Sequence, residues 1–95
     1  MSQNKINVVV AGATGYVGLD LVNYLSKHPK INIAYLCAQK NLGKDLNFFD
    51  KRISKKLPKI SDLKKVNWNN VNLLFLSLPN GVAQKIIKKN FHHKH

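Results

Sequence analysis

Residues 6–18 read INVVVAGATGYVG, and this stretch determines the fold. Its first six residues are mostly valine and isoleucine, a composition typical of a strand covered on both faces, as in a parallel sheet. Glycine then recurs at every third position, as Gly12, Gly15 and Gly18. Glycine after a strand permits a tight turn, and glycine inside the next helix permits close packing on that strand.

The residues after this stretch predict a strand, a helix and a second strand. From Tyr16 to Lys27 the apolar residues recur at helical spacing, and His28-Pro29 closes the helix because proline disfavours the α conformation of the residue before it. The apolar positions of this helix are Val17, Leu21, Val22, Tyr24 and Leu25. A second apolar run, Ile31 to Cys37, completes a βαβ unit of about thirty residues with parallel strands.

The glycine loop between the first strand and the helix is a candidate dinucleotide site. Gly15 would let the backbone approach a pyrophosphate, and the amides of the helix start would face it with the positive end of the helix dipole. The flanking strand, helix and second strand supply the context that this fingerprint requires. The candidate residues are Gly12, Ala13, Thr14, Gly15, Tyr16, Val17 and Gly18. The alternative is a glycine turn that serves helix packing only.

The end of the second strand favours NADP over NAD. NAD sites usually have an acidic residue about 20 residues after the glycines, where it holds the ribose hydroxyls. This chain has Cys37-Ala38-Gln39-Lys40 there, without a carboxylate. A small residue at Ala38 and a cation at Lys40, with Lys44 as a second candidate cation, suit a 2′-phosphate, whereas the alternative for Lys40 is an ordinary surface lysine.

The second half of the chain predicts more of the same sheet. Residues 38–68 indicate a loop with short helical and strand pieces, and residues 71–78 a buried strand. Leu78 and Pro79 begin a turn at the carboxyl edge, either beside the cofactor or as a plain connection. Val82, Ala83, Ile86 and Ile87 then predict one face of another helix. We expect an α/β fold, a truncated Rossmann-type doubly wound parallel sheet.

Composition excludes several other classes. Ninety-five residues suit one domain and are too few for a two-domain enzyme. The charge of +12 rests on lysines spread along the chain, with Arg52 the one arginine, so we expect a solvated basic surface and no nucleic-acid partner. The apolar run near the start is too short for a membrane span or a signal peptide.

The reactive residue types are sparse. Cys37 is the one cysteine, which indicates a reducing, cytoplasmic location, and its apolar strand predicts a buried thiol without catalytic function. His92, His93 and His95 lie at the terminus without a carboxylate or thiol partner, so no metal site is expected. No residue of this chain is predicted to be catalytic.

Three segments resemble N-acetyl-gamma-glutamyl-phosphate reductase, a family of the semialdehyde dehydrogenase superfamily. Residues 10–18 resemble its cofactor loop, including the tyrosine after the second glycine. Residues 28–44 resemble its second strand and the following Gly-Lys loop, and residues 74–83 resemble the strand and Leu-Pro-Asn-Gly turn beside the nicotinamide. The chain departs from the family at residues 37–39, where serines and often arginine are usual, and at Asn80, where histidine is common.

The resemblance implies an NADP-dependent, aldehyde-forming acyl-phosphate reductase of arginine biosynthesis, acting on the small molecule N-acetyl-glutamyl phosphate as a homo-oligomer. It implies that residues 1–95 are the N-terminal part of a dinucleotide-binding domain, without the substrate domain and inactive alone. Two alternatives stay open: the N-terminal portion of an aspartate-semialdehyde dehydrogenase, which shares the glycine motif, and a non-enzymatic NADP-binding module.

Overall fold

The computed structural model describes residues 5–77 and 83–87, which form an open, mostly parallel five-stranded sheet. The strands are β1 (Ile6–Ala11), β2 (Ile31–Cys37), β3 (Ile60–Ser61), β4 (Leu73–Ser77) and β5 (Ala83–Ile87), and the helix α1 (Tyr16–Ser26) connects β1 to β2. Their order across the sheet is β3-β2-β1-β4-β5. The predicted α/β Rossmann-type fold is confirmed.

β1 is the centre of the sheet, because β2 and β4 pair with it in parallel on its two sides. Val8, Val9 and Val10 are completely buried, as expected for a strand covered on both faces. Val8 and Val10 contact the core beneath α1, whereas Val9 and Ala11 belong to the core of the opposite face. The continuous valine run of the sequence therefore serves two separate apolar layers.

α1 packs on the first of these layers through Val22 and Leu25, which are buried. Tyr24, predicted to share this apolar face, is instead 68% exposed. Because a tyrosine can place its hydroxyl group in water, a tyrosine at an apolar position of the helical pattern need not be buried. After Ser26 the backbone tightens, since the amides of Lys27 and His28 donate to the carbonyls of Tyr24 and Leu25, and Pro29 follows.

Residues 38–72 contain the predicted mixture of loop and short pieces. Three single 3-10 turns, Leu46–Phe48, Leu63–Lys65 and Trp68–Asn70, accompany the two-residue strand β3. Leu46 and Ile53 anchor the first part of this segment beneath the same sheet face as α1, and Val66 and Val71 anchor the second part on the other face. The segment therefore completes both sides of the core without a long helix.

The helix predicted after residue 81 is wrong for residues 83–87, which form the antiparallel strand β5 beside β4. The short run Ala83-Gln84-Lys85-Ile86-Ile87 fits both periods, and the two isoleucines favour a strand. The strand is favoured over the helix because β5 supplies hydrogen-bond partners to the backbone donors and acceptors at the outer edge of β4.

Asparagine side chains fix the register of three strands at the amino edge of the sheet. Asn7 of β1 donates through Nδ2 to the carbonyl of Asn70 at 2.9 Å and accepts at Oδ1 from Nδ2 of Asn32 at 2.9 Å. The backbone amide of Asn7 donates to Oδ1 of Asn72, also at 2.9 Å. Because β1, β2 and the residues before β4 share one network, their carboxyl ends are aligned at the opposite edge.

Candidate cofactor site

The glycine loop lies where the order of the sheet reverses. The chain crosses from β1 to β2 and β3 on one side, then returns to β4 on the other side of β1. Ligands of open α/β sheets bind at this switch point, outside the carboxyl ends of the strands. Residues 12–18 begin here, directly after β1 and beside Ser77 at the end of β4.

The first turn of the loop is held by the end of β2. The amides of Gly12 and Ala13 both donate to the carbonyl of Cys37, at 2.9 and 3.0 Å. Gly12 has φ of +75°, in the left-handed region, and a Cβ there would lie 2.6 Å from the carbonyl oxygen of Ser77. The fold itself therefore requires glycine at this position.

The other two glycines differ in what the fold requires of them. A Cβ on Gly18 would overlap the carbonyl oxygen of Gly12 and lie 3.0 Å from backbone atoms of Ala13, so close packing explains this glycine. Gly15 is exposed, has an ordinary φ of −77°, and would place a Cβ no closer than 3.6 Å to any protein atom outside its chain neighbours. Packing within the described residues does not explain glycine at position 15.

The start of α1 offers unused hydrogen-bond donors. The first helical bond runs from the amide of Leu19 to the carbonyl of Gly15, at 2.8 Å. The amides of Thr14, Tyr16 and Val17 donate to no backbone acceptor within residues 5–77 and 83–87. The first turn of the helix contains no acidic residue. Free amides and the positive end of the helix dipole together favour an anion at this position.

The side chains of the loop divide between core and surface. Ala13 is completely buried, Thr14 and Val17 are half-buried, and Tyr16 is 89% exposed. A tyrosine ring this exposed at the first helical residue contributes little to the core. It stands in solvent next to the free amides.

The end of β2 leads into a loop that exposes Lys40. Ala38 is half-buried and donates its amide to the carbonyl of Ser61 at 3.3 Å, so the backbone still follows β3 there. Lys40 then lies in the exposed stretch before Asn41 and Gly43, whose positive φ angles turn the chain. Leu78 and Pro79 lie outside the described residues.

Sequence reasoning missed one carboxylate at this edge. Asp62 follows β3 directly, and the pairing of Cys37 with Ser61 brings it next to the end of β2. Its carboxylate accepts a hydrogen bond from the amide of Lys64 at 2.9 Å and caps the following 3-10 turn. Only β3 places Asp62 at this edge, and a strand of two residues is too short to be recognised from sequence periodicity.

The thiol of Cys37 is a structural group. It is 2% exposed, and burial raises its pKa, as does the nearby charge of Asp62, while a hydrogen bond with Ser61 acts in the other direction. A neutral, inaccessible thiol is a poor nucleophile. In the part of the chain that the structure describes, no three His, Cys, Asp or Glu side chains are grouped as metal ligands would be. The same residues include no helix with the length and apolar character needed to cross a bilayer.

Comparisons with known proteins agree with this arrangement. The family model described as semialdehyde dehydrogenase, NAD binding domain, matches residues 7–95. A protein named N-acetyl-gamma-glutamyl-phosphate reductase from Ehrlichia ruminantium (strain Gardel) is 39% identical over 87 residues, covering 90% of this chain and 25% of its own length. The reductase of the same name from Rhodospirillum rubrum is 34% identical over 84 residues, with 87% and 24% covered.

A plant protein extends the comparison. The probable N-acetyl-gamma-glutamyl-phosphate reductase, chloroplastic, of Oryza sativa subsp. japonica is 33% identical over 88 residues, which cover 92% of this chain and 21% of the plant protein. The chain therefore spans about a quarter or less of the length of these relatives.

Proposed function

This chain belongs to the family of semialdehyde dehydrogenase NAD-binding domains, and from that membership we propose that residues 12–18 hold the pyrophosphate of NADP. The observation that carries the proposal is Gly15. Outside its chain neighbours, a Cβ there would meet no atom of the described residues closer than 3.6 Å, which leaves open space beside the free amides of Tyr16 and Val17. A pyrophosphate in contact with the backbone requires such a space.

The remaining candidate residues surround the same edge. Gly12, Ala13 and Gly18 shape the turn, Thr14 and Tyr16 flank the pyrophosphate, and Ala38 leaves room for the adenosine ribose. Lys40 pairs with the 2′-phosphate, because a cation stabilises that group and an aspartate at this position would repel it. Leu78 and Pro79, which lie outside the described residues, are assigned to the nicotinamide as part of the same proposal. NADP, when bound, supplies the hydride, and this chain binds and orients it.

We further propose that the chain is the cofactor-binding portion of an N-acetyl-gamma-glutamyl-phosphate reductase, a cytoplasmic homo-oligomeric enzyme. The names of the relatives favour this assignment over aspartate-semialdehyde dehydrogenase. The complete reductase reduces N-acetyl-glutamyl phosphate to the semialdehyde, with its catalytic residues in the remaining length of the protein. The gene product that contains this chain is then active with N-acetyl-glutamyl phosphate and NADPH, and activity with aspartyl phosphate alone would contradict the assignment.

The cofactor preference is tested by calorimetric titration of the 95-residue chain with NADPH and NADH. We expect tighter binding of NADPH, and Lys40→Gln should reduce the NADPH affinity about fivefold, since one charge at about 4 Å in water contributes about 1 kcal/mol. NADH affinity should not change. Lys30→Gln is the matched control, an exposed lysine in the turn between α1 and β2 at the opposite edge of the sheet. Equal affinities for the two cofactors, or equal effects of the two variants, would contradict the assignment of Lys40.

A further inference from the structure

A second feature of the chain lies away from the glycine loop, on the segment between β2 and β3. A hollow of about 360 Å³ opens there among four lysines, Lys44, Lys51, Lys55 and Lys59, with Asp45 and Phe48 also in its lining. No residue of the glycine loop borders it. Four ammonium groups and one carboxylate around a single hollow make it strongly electropositive.

The backbone that carries these lysines is fixed to the core. Leu46 and Ile53 are 2% and 1% exposed, and Nδ2 of Asn47 donates to the carbonyl of Ile53 at 2.7 Å. At the start of the segment, the amide of Gly43 donates to the carbonyl of Ile60 at 2.7 Å, and the amide of Ile60 donates to the carbonyl of Lys44 at 2.8 Å. The lysines therefore surround a hollow that exists before any ligand binds.

Two of the four ammonium groups have contacts with protein groups. Nζ of Lys59 lies 3.1 Å from Oδ1 of Asp45, and Nζ of Lys44 lies over the Phe48 ring, 5.1 Å from its centroid. Lys51 and Lys55 form no hydrogen bond or ion pair within residues 5–77 and 83–87. Three lysines of the hollow thus lack a carboxylate partner, and their mutual repulsion would be relieved by a multiply charged anion.

We propose that this lysine hollow binds the phosphate chain of a small di- or triphosphate, at a site separate from the cofactor loop. Lysine binds phosphate as a point charge, and three ammonium groups without a carboxylate partner match a multiply charged phosphate chain. A single hollow of about 360 Å³ has the size of a small anion, whereas a polynucleotide would need an extended basic groove. The Phe48 ring lies 5.1 Å from the Lys44 ammonium and 5.1 Å from the Phe49 ring and is 62% exposed, so the proposed contacts to the anion come from the lysines alone.

Calorimetric titration of the chain with sodium tripolyphosphate tests this proposal. The double variant Lys51→Gln/Lys55→Gln should weaken binding about tenfold or more, because each variant removes an unpaired charge next to the anion. Lys51→Arg/Lys55→Arg should preserve it. The control is Lys56→Gln/Lys64→Gln, which removes two exposed lysines that do not line the hollow. A loss of similar size in the control would overturn the proposal, since it would indicate attraction to the whole basic surface.

Two further titrations distinguish the ligand source and the site. ATP and tripolyphosphate should bind with affinities within about threefold of each other, because the lysines contact only the phosphate chain. Much tighter binding of ATP would overturn the assignment to the phosphate chain. Tripolyphosphate should still bind when the glycine loop is saturated with NADPH, and Lys51→Gln/Lys55→Gln should weaken that binding by the same factor. Complete loss of tripolyphosphate binding at saturating NADPH would place the anion in the cofactor site and overturn the lysine site without affecting the proposed cofactor function.

Discussion

Gly15→Ala should weaken NADPH binding with little change in stability, whereas Gly18→Ala should lower the stability of the fold. Comparison of the two variants therefore separates ligand binding from folding. At Gly18 the new Cβ overlaps the carbonyl of Gly12 and presses on the backbone of Ala13, which cannot move as a side chain could. Overpacking of this kind costs about 2–3 kcal/mol, and the better helix propensity of alanine returns about 1 kcal/mol. We expect a net loss of about 1–2 kcal/mol in the free energy of unfolding.

At Gly15 the same substitution meets no steric obstacle among the described residues. Outside its chain neighbours, the closest of their atoms would be 3.6 Å from the Cβ, and φ of −77° is open to alanine. Alanine is a poorer N-cap than glycine by about 0.5–1 kcal/mol, and reduced freedom of the unfolded chain offsets this by about 0.4–1 kcal/mol. Stability should therefore change by no more than about 0.5 kcal/mol. NADPH affinity should fall at least tenfold, because the methyl group occupies the space next to the free amides.

Two measurements check this pair of variants. Urea unfolding followed by the fluorescence of Trp68, the single tryptophan, gives the stability of each variant. Calorimetric titration with NADPH gives the affinity under conditions in which each variant is folded. Unchanged NADPH affinity in Gly15→Ala would refute the assignment of the pyrophosphate to this loop. Unchanged stability in Gly18→Ala would refute the packing argument for that glycine.

Three other predictions concern stability and reactivity. Asn7→Ala should lower the free energy of unfolding in urea by about 1–2 kcal/mol, because two side-chain hydrogen bonds of Asn7 are lost; no change would show that the network is incidental. Cys37 should react with a disulfide reagent at least tenfold more slowly in the native chain than in urea, since burial raises its pKa and blocks access; equal rates would contradict its burial. The hydrogen bond from the Arg52 side chain lowers the pKa of Asp50 in the folded chain. The pair therefore stabilises the fold above the unfolded pKa of about 3.9, and this stabilisation is lost as pH falls through the lower folded pKa. In Asp50→Asn the free energy of unfolding should fall less steeply with decreasing pH, and an identical pH profile would contradict the pairing.

Local patterns predicted the first half of the chain well. The bounds of β1 and β2 agree with the apolar runs, and α1 begins at the predicted Tyr16. Each of these elements can be recognised from its own residues, because a long valine run indicates a strand and an apolar helical stripe ended by proline indicates a helix, without reference to distant residues. The glycine spacing also predicted which residues lie at the switch point, since the loop is bounded by elements that were themselves clear.

The remaining elements depend on tertiary contacts that local sequence does not encode. β5 forms because β4 offers an unpaired edge, and no pattern within residues 83–87 records that edge. β3 is two residues long, so its effect on the site, the placement of Asp62 beside the end of β2, was not predictable from periodicity. The lysine hollow likewise requires the anchoring of Leu46 and Ile53, which brings lysines spaced along sixteen residues around one cavity.

The clearest evidence for function comes from residues that the fold does not explain. Gly12 and Gly18 look like cofactor glycines in the sequence, yet backbone contacts account for both, and they would be needed in a loop that bound nothing. Gly15, the N-cap of α1, has no such packing explanation among the described residues, and the side chains of Lys51 and Lys55 have no partner there. An exposed glycine beside free amides, and unpaired like charges around one hollow, are features that a bound anion would use. The two proposed phosphate sites of this chain therefore differ in chemistry, one formed by backbone amides and one by lysine side chains.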